Sequence, residues 1–320
     1  MFHIVINLER QRSLWPDYRK QSLPRGWSFT GFSGTKEECL IHIAKAPTDA
    51  GVTPPQTQKS LSSPPTSTLP TRSRAIALPF ARRDAALRLF VFPHAGAGAS
   101  SYHFLARACK NPRIEVNLIQ YPGREMRIRE QPMKEMPTMV RSLEEDLLPF
   151  FSDKPFILFG HSMGALVSYE LTRSLAANGG PSPLHLFLSG RQAPHRPALN
   201  LPVDSLSDEA FLDAVGRRYN ALPAELLQNP EILALVLPSL RADFKLMSCY
   251  QYTPGVQLDT GITLLNGKDD PWVDLASIAA WQMHFKPELR SHWFPGGHFY
   301  LPDAASEVSE LINQVAGSDS

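Results

Sequence analysis

A proline-rich stretch near the N-terminus determines how the rest of the chain can fold. Residues 47–80 contain seven prolines among many Ser, Thr and Gln residues, and they show no apolar periodicity. A segment without an apolar face cannot offset the conformational entropy that it loses on ordering, so we expect a semi-extended linker. The sequence therefore predicts a small front module over residues 1–46, a linker over 47–83 and a large domain over 84–316.

Short apolar runs alternate with helical patterns throughout the large domain. The clearest helical pattern begins at residue 165, where Val167, Leu171 and Leu175 share one face and Gly179 stands just past the end. Strands that are apolar on both faces and joined by helices form a parallel sheet with right-handed crossovers. We therefore expect an α/β fold with a mostly parallel central sheet. The predicted strands are residues 87–92, 115–120, 155–159, 184–188, 262–265 and 291–294.

One interval in the large domain is too long for a single crossover between strands. The segment from Gly190 to Gly261 far exceeds the roughly 10 to 20 residues that a crossover requires. It contains two helical patterns, at residues 208–220 and 231–250, and several prolines. This composition predicts a helical insertion over the edge of the sheet, a lid at about residues 191–247.

The composition excludes several classes of partner and site. With 32 basic and 31 acidic side chains the net charge is +1, so we expect neither nucleic acid nor an anionic membrane as a partner. The three cysteines have no metal-ligand spacing and suit a reducing compartment, so no metal is expected. The N-terminal apolar run is too short for a signal peptide, and no run approaches the roughly 18 residues of a membrane span. We expect a cytoplasmic protein.

Residues 160–164, Gly-His-Ser-Met-Gly, fit the pattern G-x-S-x-G, which is weak evidence on its own. Here the pattern directly follows the apolar run 155–159 and opens the helical pattern from residue 165. A strand, a sharp turn and a helix form the setting of a nucleophile elbow, in which a strained serine needs small neighbours. This context favours Ser162 as a nucleophile over a serine in an ordinary glycine turn.

A nucleophilic serine needs a base, and the base needs a carboxylate that orients it. After a nucleophile elbow the chain order is serine, acid, histidine. Asp270 follows a predicted strand and precedes Pro271, which makes it the preferred acid. Asp269 remains an alternative because a sequence cannot orient adjacent side chains. His298 lies in a glycine-containing loop after the last strand and is the predicted base.

The tetrahedral intermediate of such a reaction needs two backbone N–H donors. One belongs to the residue after the nucleophile, Met163, and the other comes from the loop after the first strand of the domain, where Ala95 is the predicted donor. The glycines of that loop, Gly96 and Gly98, also suggest a dinucleotide fingerprint. Because Ser101 stands where the third glycine of the fingerprint belongs, nucleotide binding is the weaker interpretation.

The domain from about Arg88 to Ala316 resembles the type II thioesterases of non-ribosomal peptide and polyketide pathways, which have the α/β-hydrolase fold. The resemblance implies hydrolysis of acyl groups from the phosphopantetheine arms of acyl and peptidyl carrier proteins. It also implies that Ser162 forms the acyl-enzyme and that the lid shapes the acyl chamber. No cofactor is expected, because the substrate carries the phosphopantetheine. The matching stretches are FPHAGAGASSY, YPGREMRIREQP, GHSMGALVSYEL, LRADFKLMSCYQY, GKDDPWV and PGGHFYL.

The front module resembles the MbtH-like proteins, small α+β proteins that bind and activate adenylation domains of peptide synthetases. The resemblance rests on NLERQRSLWP at residues 7–16, PRGW at 24–27 and Cys39-Leu40. It implies an adenylation domain as partner. Two tryptophans in so small a module suggest a surface cleft for that partner; the alternative is that they form the core of the module. The family's usual W-T-D-x-R-P ending is reduced here to Thr-Asp. The expected partner-binding residues are Ser13, Leu14, Trp15, Pro16 and Trp27.

Three functions remain open on the sequence alone. The first is a thioesterase fused to an activator of an adenylation domain, both serving one peptide synthetase. The second is a binding scaffold with a degenerate hydrolase, against which the intact set of candidate residues speaks. The third is an esterase or lipase acting on small molecules, which a lid would suit equally well but which gives the front module no role.

Overall fold

The computed structural model describes residues 2–7, 12–16, 27–45, 73–196, 201–219 and 229–317. The chain divides into two compact units, Met1–Thr68 and Leu69–Ser320. Most of the predicted linker, residues 47–72, lies outside the described residues, as does the Thr-Asp remnant of the MbtH-like ending. Each unit is therefore described by itself.

The first unit contains a three-stranded antiparallel sheet followed by one helix. Ile4 and Val5 of the central strand are buried, which explains the β-branched run at the start of the chain. The helix begins at a capping box, in which the side chains of Thr35 and Glu38 each accept a hydrogen bond from the other's backbone N–H. The elements are β1 (Phe2–Asn7), β2 (Arg12–Pro16), β3 (Trp27–Gly34) and α1 (Lys36–Lys45), and the strand order is β2-β1-β3.

The second unit is built on a seven-stranded sheet that is parallel except at one edge. Its strand order is β10-β9-β8-β7-β5-β6-β4, and only β4 runs antiparallel to its neighbour. The prediction of a mostly parallel central sheet is confirmed. The strands are β4 (Ile76–Ala77), β5 (Leu87–Phe92), β6 (Ile114–Ile119), β7 (Phe156–His161), β8 (His185–Ser189), β9 (Gly261–Gly267) and β10 (Arg290–Phe294).

Helices cover both faces of this sheet. Successive residues of β5 enter two separate apolar clusters, Leu89 in one and Phe90 in the other, because side chains alternate along a strand. The cluster with Phe90 includes residues of α3 and α4, and the cluster with Leu89 includes residues of α2 and α8. The helices are α2 (His103–Ala108), α3 (Met136–Phe151), α4 (Met163–Ala177), α5 (Asp208–Tyr219), α6 (Pro230–Ser248), α7 (Leu275–Ala279) and α8 (Ala305–Gly317).

The edge strand β4 lies within residues 47–83, where the sequence predicted only a linker. Ile76 pairs with Ile119 of β6, and Gln120 donates its backbone N–H to the carbonyl of Ala75 at 2.8 Å. Ala75 and Ile76 are buried, so the large domain begins before residue 84. A strand of two residues is too short to produce a visible apolar alternation, and the neighbouring prolines obscured it.

Two long helices, α5 and α6, lie in the interval that the sequence assigned to a lid. Residues 197–200 and 220–228 of this interval are outside the described residues. Helix α6 starts at the N-cap Asn229, whose side chain accepts a hydrogen bond from the N–H of Ile232, and Pro230 follows as the first helical residue. In the part of the chain that the structure describes, no helix is long and apolar enough to cross a membrane.

Candidate active site

Ser162 occupies a sharp turn between the end of β7 and the start of α4. Its φ of 53° is one of two positive φ values among the described residues other than glycine, and its ψ is −109°. Such a conformation costs energy and persists only where the surroundings enforce it. Here the N–H of Ser162 donates to the carbonyl of Ser189 in β8 at 2.8 Å, which fixes the turn to the sheet.

The glycines on either side of Ser162 leave room for this turn. A Cβ on Gly160 would overlap the backbone of Gly164, and a Cβ on Gly164 would overlap the carbonyl oxygens of Phe92 and Pro93. Both collisions are with backbone atoms, which cannot move aside without distorting the sheet. The G-x-S-x-G pattern is therefore a steric requirement of the elbow in this chain.

The structure brings Ser162, His298 and Asp270 into one chain of hydrogen bonds. Oγ of Ser162 lies 3.0 Å from Nε2 of His298, and Nδ1 of His298 lies 2.7 Å from Oδ2 of Asp270. The other oxygen of Asp270 accepts the N–H of Trp272 at 3.0 Å. All three residues of the chain are buried. The arrangement can move a proton from a hydroxyl to a ring nitrogen held in one tautomer.

Asp269, the alternative acid, points away from His298. It is exposed, and its carboxylate accepts the N–H of Gly296 at 3.3 Å. Its own N–H donates to the carbonyl of Gly296 at 2.9 Å. These bonds tie the loop after β9 to the loop after β10, which carries His298.

The predicted oxyanion donors belong to α4, which begins just after Ser162, and to the loop after β5, whose start at Pro93 lies against Gly164. Met163 is the first residue of α4, and Ala95 is in the loop after β5. Within the described part of the chain, neither of these two N–H groups has a hydrogen-bond acceptor. Both are therefore available to a ligand oxygen.

Acidic and amide side chains hold the rest of the loop after β5. The N–H of Gly96 donates to Asp243 at 2.7 Å, the N–H of Ala99 to Gln120 at 3.2 Å and the N–H of Ser100 to Glu125 at 3.2 Å. These donors are the ones that a pyrophosphate would need at a glycine-rich loop. Because two of their acceptors are carboxylates, the loop is unsuited to a dinucleotide.

Two further histidines, His94 and His161, lie near His298 and stay neutral. The rings of His94 and His161 lie 5.7 Å apart, and the ring of His161 lies 5.0 Å from that of His298. Burial, together with the charges of His298 and Arg124, lowers the pKa of His94 to about 3. Burial, and the repulsion that a second protonated ring at His298 or His94 would exert, hold the pKa of His161 well below its usual value. The neighbours of the proposed base therefore add no positive charge at neutral pH.

A cavity of about 310 Å³ opens onto Ser162 and His298. Helix α6 supplies Phe244 and Met247 to its wall. Trp272 also lines it, with the guanidinium of Arg218 from α5 3.9 Å from the centre of its ring. The described parts of the interval predicted as a lid thus line the space beside the serine. The cavity is large enough for a small ligand, and its lining combines apolar side chains with polar ones.

The predicted partner-binding residues of the first unit lie on the two outer strands of its sheet. Ser13, Leu14, Trp15 and Pro16 belong to β2, where Trp15 pairs with His3 of β1, and Trp27 begins β3. The side chains of these five residues are outside the described part of the chain. Their function stays a prediction.

Sequence reasoning missed the residues that support the loop after β5. No function of Arg124, Asp243 or Glu125 follows from the sequence motifs, although Arg124 lies in one of the stretches that match the thioesterases. One signal was present: Asp243 is a charged residue among the apolar positions of α6, where a charge needs a partner. No group of three or more His, Cys, Asp or Glu side chains that could hold a metal occurs among the described residues.

Comparisons with known proteins assign each of the two parts of the chain to a family. Residues 87–315 match the family model described as Thioesterase domain, and residues 1–60 match the one described as MbtH-like protein. Gramicidin S biosynthesis protein GrsT of Aneurinibacillus migulanus is 38% identical over 232 residues, which cover 71% of this chain and 88% of that protein. Linear gramicidin dehydrogenase LgrE of Brevibacillus parabrevis is 38% identical over 250 residues, 77% of this chain and 94% of that protein.

The solved structure of BorB, a type II thioesterase from the borrelidin biosynthetic cluster, is similar in fold. It superposes with a TM-score of 0.66 at 32% sequence identity, and the match covers 75% of this chain and 95% of BorB. The share of this chain that is covered corresponds in size to its second unit.

Proposed function

The chain belongs to the thioesterase family and carries an MbtH-like region in front, and we propose that it clears acyl groups from the phosphopantetheine arms of carrier proteins. It is a type II thioesterase of the non-ribosomal peptide and polyketide pathways, and hence a thioester hydrolase. The observation that carries the proposed mechanism is the hydrogen-bonded chain of Ser162, His298 and Asp270.

In the first half of the reaction, Oγ of Ser162 attacks the thioester carbonyl carbon while Nε2 of His298 accepts the hydroxyl proton. The tetrahedral intermediate collapses, the C–S bond breaks and the phosphopantetheine sulfur takes the proton from His298. Ser162 is left acylated. Asp270 accepts the Nδ1–H of His298, which keeps Nε2 unprotonated before attack and stabilises the ring once it is charged.

In the second half, a water molecule attacks the acyl-enzyme and gives its proton to His298. The ester bond to Ser162 breaks, Oγ regains that proton, and the free carboxylic acid leaves. The N–H groups of Ala95 and Met163 stabilise the negative oxygen in both intermediates. Their lack of any acceptor within the described residues supports this assignment.

The name of one relative speaks of a dehydrogenase, and for this chain we propose hydrolysis. A dehydrogenase needs a site for a dinucleotide, and the glycine-containing loop after β5 gives its N–H groups to Asp243 and Glu125. The intact serine site beside the cavity supports acyl transfer to water.

For the MbtH-like region we propose binding and activation of an adenylation domain, with residues 13–16 and Trp27 at the contact. The support is the family match over residues 1–60. One chain would then hold a thioesterase close to a synthetase whose thioesters it clears. The partners are thus a carrier protein and an adenylation domain of a peptide synthetase.

A steady-state comparison of two substrates with the same acyl group tests the proposal. We expect hydrolysis of an acyl-carrier protein with a kcat/KM well above that for the p-nitrophenyl ester, and loss of both activities in Ser162→Ala. Faster turnover of the simple ester would favour a small-molecule esterase. Hydrolysis of neither substrate would favour a binding scaffold.

A further inference from the structure

A buried carboxylate joins the lid helix α6 to the loop that carries Ala95. Asp243 is fully buried on α6, and Arg124 donates to both of its oxygens, at 2.6 and 2.8 Å. Oδ2 of Asp243 also accepts the N–H of Gly96 at 2.7 Å. One side chain therefore fixes both a buried cation and the residue next to the proposed oxyanion donor.

Arg124 also binds this loop directly. Its Nη1 donates to the carbonyl of Ala97 at 3.2 Å, while its own carbonyl accepts from the side chain of Gln120 at 3.1 Å. Burial acts to lower the pKa of Arg124, but the charge of Asp243 and its hydrogen bonds raise it above its usual value. The guanidinium stays charged. Its separation from Asp243 would leave two buried charges without partners, which is unfavourable.

Gly96 is the point at which the lid helix and the loop touch. Its φ is +79°, and a Cβ there would collide with Cδ1 of Leu240 on α6. The left-handed φ favours glycine here, and a Cβ would also displace the end of the Leu240 side chain. A shift of α6 would move the acceptor of the Gly96 N–H and the neighbouring peptide together.

The same helix forms a wall of the acyl cavity. Phe244 directly follows Asp243, and Met247 lies one turn further along; both line the cavity beside Ser162. An acyl chain in the cavity would pack against these side chains and hence against α6. Because Asp243 belongs to α6 and accepts the N–H of Gly96, a displacement of the helix would displace Gly96 as well.

We propose that Asp243 and Arg124 are positioning residues that assemble the oxyanion hole only when α6 is seated against the core. Seating of α6 aligns the Ala95 N–H, so cavity occupancy and stabilisation of the oxyanion are linked. This inference rests on the proposed function, because it concerns the oxyanion of thioester hydrolysis. The proposal gives residues 122–125, Pro-Gly-Arg-Glu, a function in catalysis.

Single and paired substitutions separate positioning from structural support. Asp243→Asn keeps the shape of the side chain but turns an N–H₂ group toward one of its three donors. We expect kcat to fall about 100-fold with KM changed less than about threefold, as for loss of an oxyanion donor. Arg124→Met should act in the same direction.

The double variant Arg124→Met/Asp243→Leu removes both buried charges. Its Tm should recover toward the wild-type value, because no unpaired charge is left in the core. Its kcat should stay about 100-fold low, because the Gly96 N–H has lost its acceptor. Affinity for an acyl trifluoromethyl ketone, which forms a tetrahedral oxyanion on the serine, should fall in parallel.

The matched control is Arg88→Met, since Arg88 is a buried arginine that pairs with Asp153 near the start of β5, at the end of the strand away from the loop. It should lower Tm and leave kcat and ketone affinity within about twofold of wild type. Recovery of kcat together with Tm in the double variant would overturn the inference, and so would a wild-type ketone affinity in Asp243→Asn. A wild-type protein that hydrolyses no acyl thioester would instead refute the proposed function.

Discussion

The carboxylate of Asp270 lies 2.7 Å from Nδ1 of His298, and its side chain is entirely shielded from solvent. A buried carboxylate at that distance selects the ring tautomer in which Nε2 faces Ser162 with its lone pair. The neighbouring Asp269 is exposed and makes no such contact in the described structure.

Replacement of the two aspartates should therefore have very different effects. Asp270→Asn should lower kcat for thioester hydrolysis about 10⁴-fold, because an amide favours the wrong tautomer of His298. Asp269→Asn, the matched control, should stay within about threefold of wild type. Steady-state kinetics on one acyl-carrier protein measures both. The assignment of the acid is wrong if the order of the two effects is reversed.

The elbow glycines should tolerate no side chain. Gly164→Ala places a Cβ against the carbonyls of Phe92 and Pro93, so we expect loss of at least about 2 kcal/mol in unfolding free energy together with loss of activity. Gly317→Ala is the control, because nothing lies within 4 Å of a Cβ there. Denaturant unfolding with parallel kinetics tests the pair. Normal stability in Gly164→Ala would show that the turn is less crowded than described.

The acyl preference should depend on α6. Phe244→Leu enlarges the cavity beside Ser162, so the preferred acyl chain should lengthen by about one or two carbons while the shortest thioester keeps its kcat. Leu148→Ala, on the solvent side of α3, is the control. The measurement is a profile of kcat/KM over acyl-carrier proteins of increasing chain length. Leu222 and Leu226, which the sequence also suggests for the chamber, lie outside the described residues.

Acidification should destabilise the second unit through its buried histidines. Burial, with the charges of His195 and Arg173, lowers the pKa of His284 to about 4, so between pH 6.5 and 4 the unfolded chain binds a proton that the folded one does not. The contribution of His284 to the free energy of unfolding is fully present above pH 6.5. It decreases by about 1–2 kcal/mol as the pH falls toward 4.

His284→Gln should remove that share of the pH dependence. Urea unfolding at pH 7 and pH 4.5 should show a smaller difference for His284→Gln than for wild type, while His292→Gln, at a partly exposed position, should match wild type. An unchanged difference in His284→Gln would mean that the ring is protonated in the folded state.

The sequence predicts the architecture because the inner strands of the sheet, β5 to β9, are buried on both faces. The runs that become β5 to β10 are each identified within two residues; in β5 to β9 burial leaves most positions apolar, whereas β10 begins at two exposed polar residues. Strand β4 escapes prediction because two residues carry no period. Ser162 and His298 are recognisable from motifs that a local backbone geometry demands.

Contacts between distant segments set the limit of prediction. Asp270 and Asp269 differ only in orientation, which the loops after β9 and β10 decide together. Asp243 lies 119 residues from Arg124 in the chain, and nothing local in either segment indicates that they meet. Such pairs depend on how the lid helix packs, so they follow from the fold and not from a motif.

The two parts of the chain should act independently. Residues 47–72 are rich in proline and show no apolar pattern, a composition that predicts a tether, which would supply an effective concentration of about millimolar or less. Cleavage between residues 61 and 72 should leave hydrolysis of a freely supplied acyl-carrier protein unchanged. It should slow clearance only when the carrier belongs to a synthetase whose adenylation domain is bound.

Trp15→Ala should reproduce the effect of cleavage in the second assay alone, because it weakens the contact with the adenylation domain. The activity of the separated thioesterase on free carrier is the internal control. A separated thioesterase that loses its intrinsic rate would show that the two parts form one functional unit.

Trapping of the acyl-enzyme tests the central claim most directly. An acyl-carrier protein is mixed with the enzyme, and the reaction is quenched with acid within milliseconds. The protein is then digested, and the masses of its peptides are measured by mass spectrometry. The mechanism predicts a transient gain equal to the acyl group on the peptide that contains Ser162, and no gain on any peptide of Ser162→Ala. Acylation of another residue, or continued hydrolysis by Ser162→Ala, would contradict it.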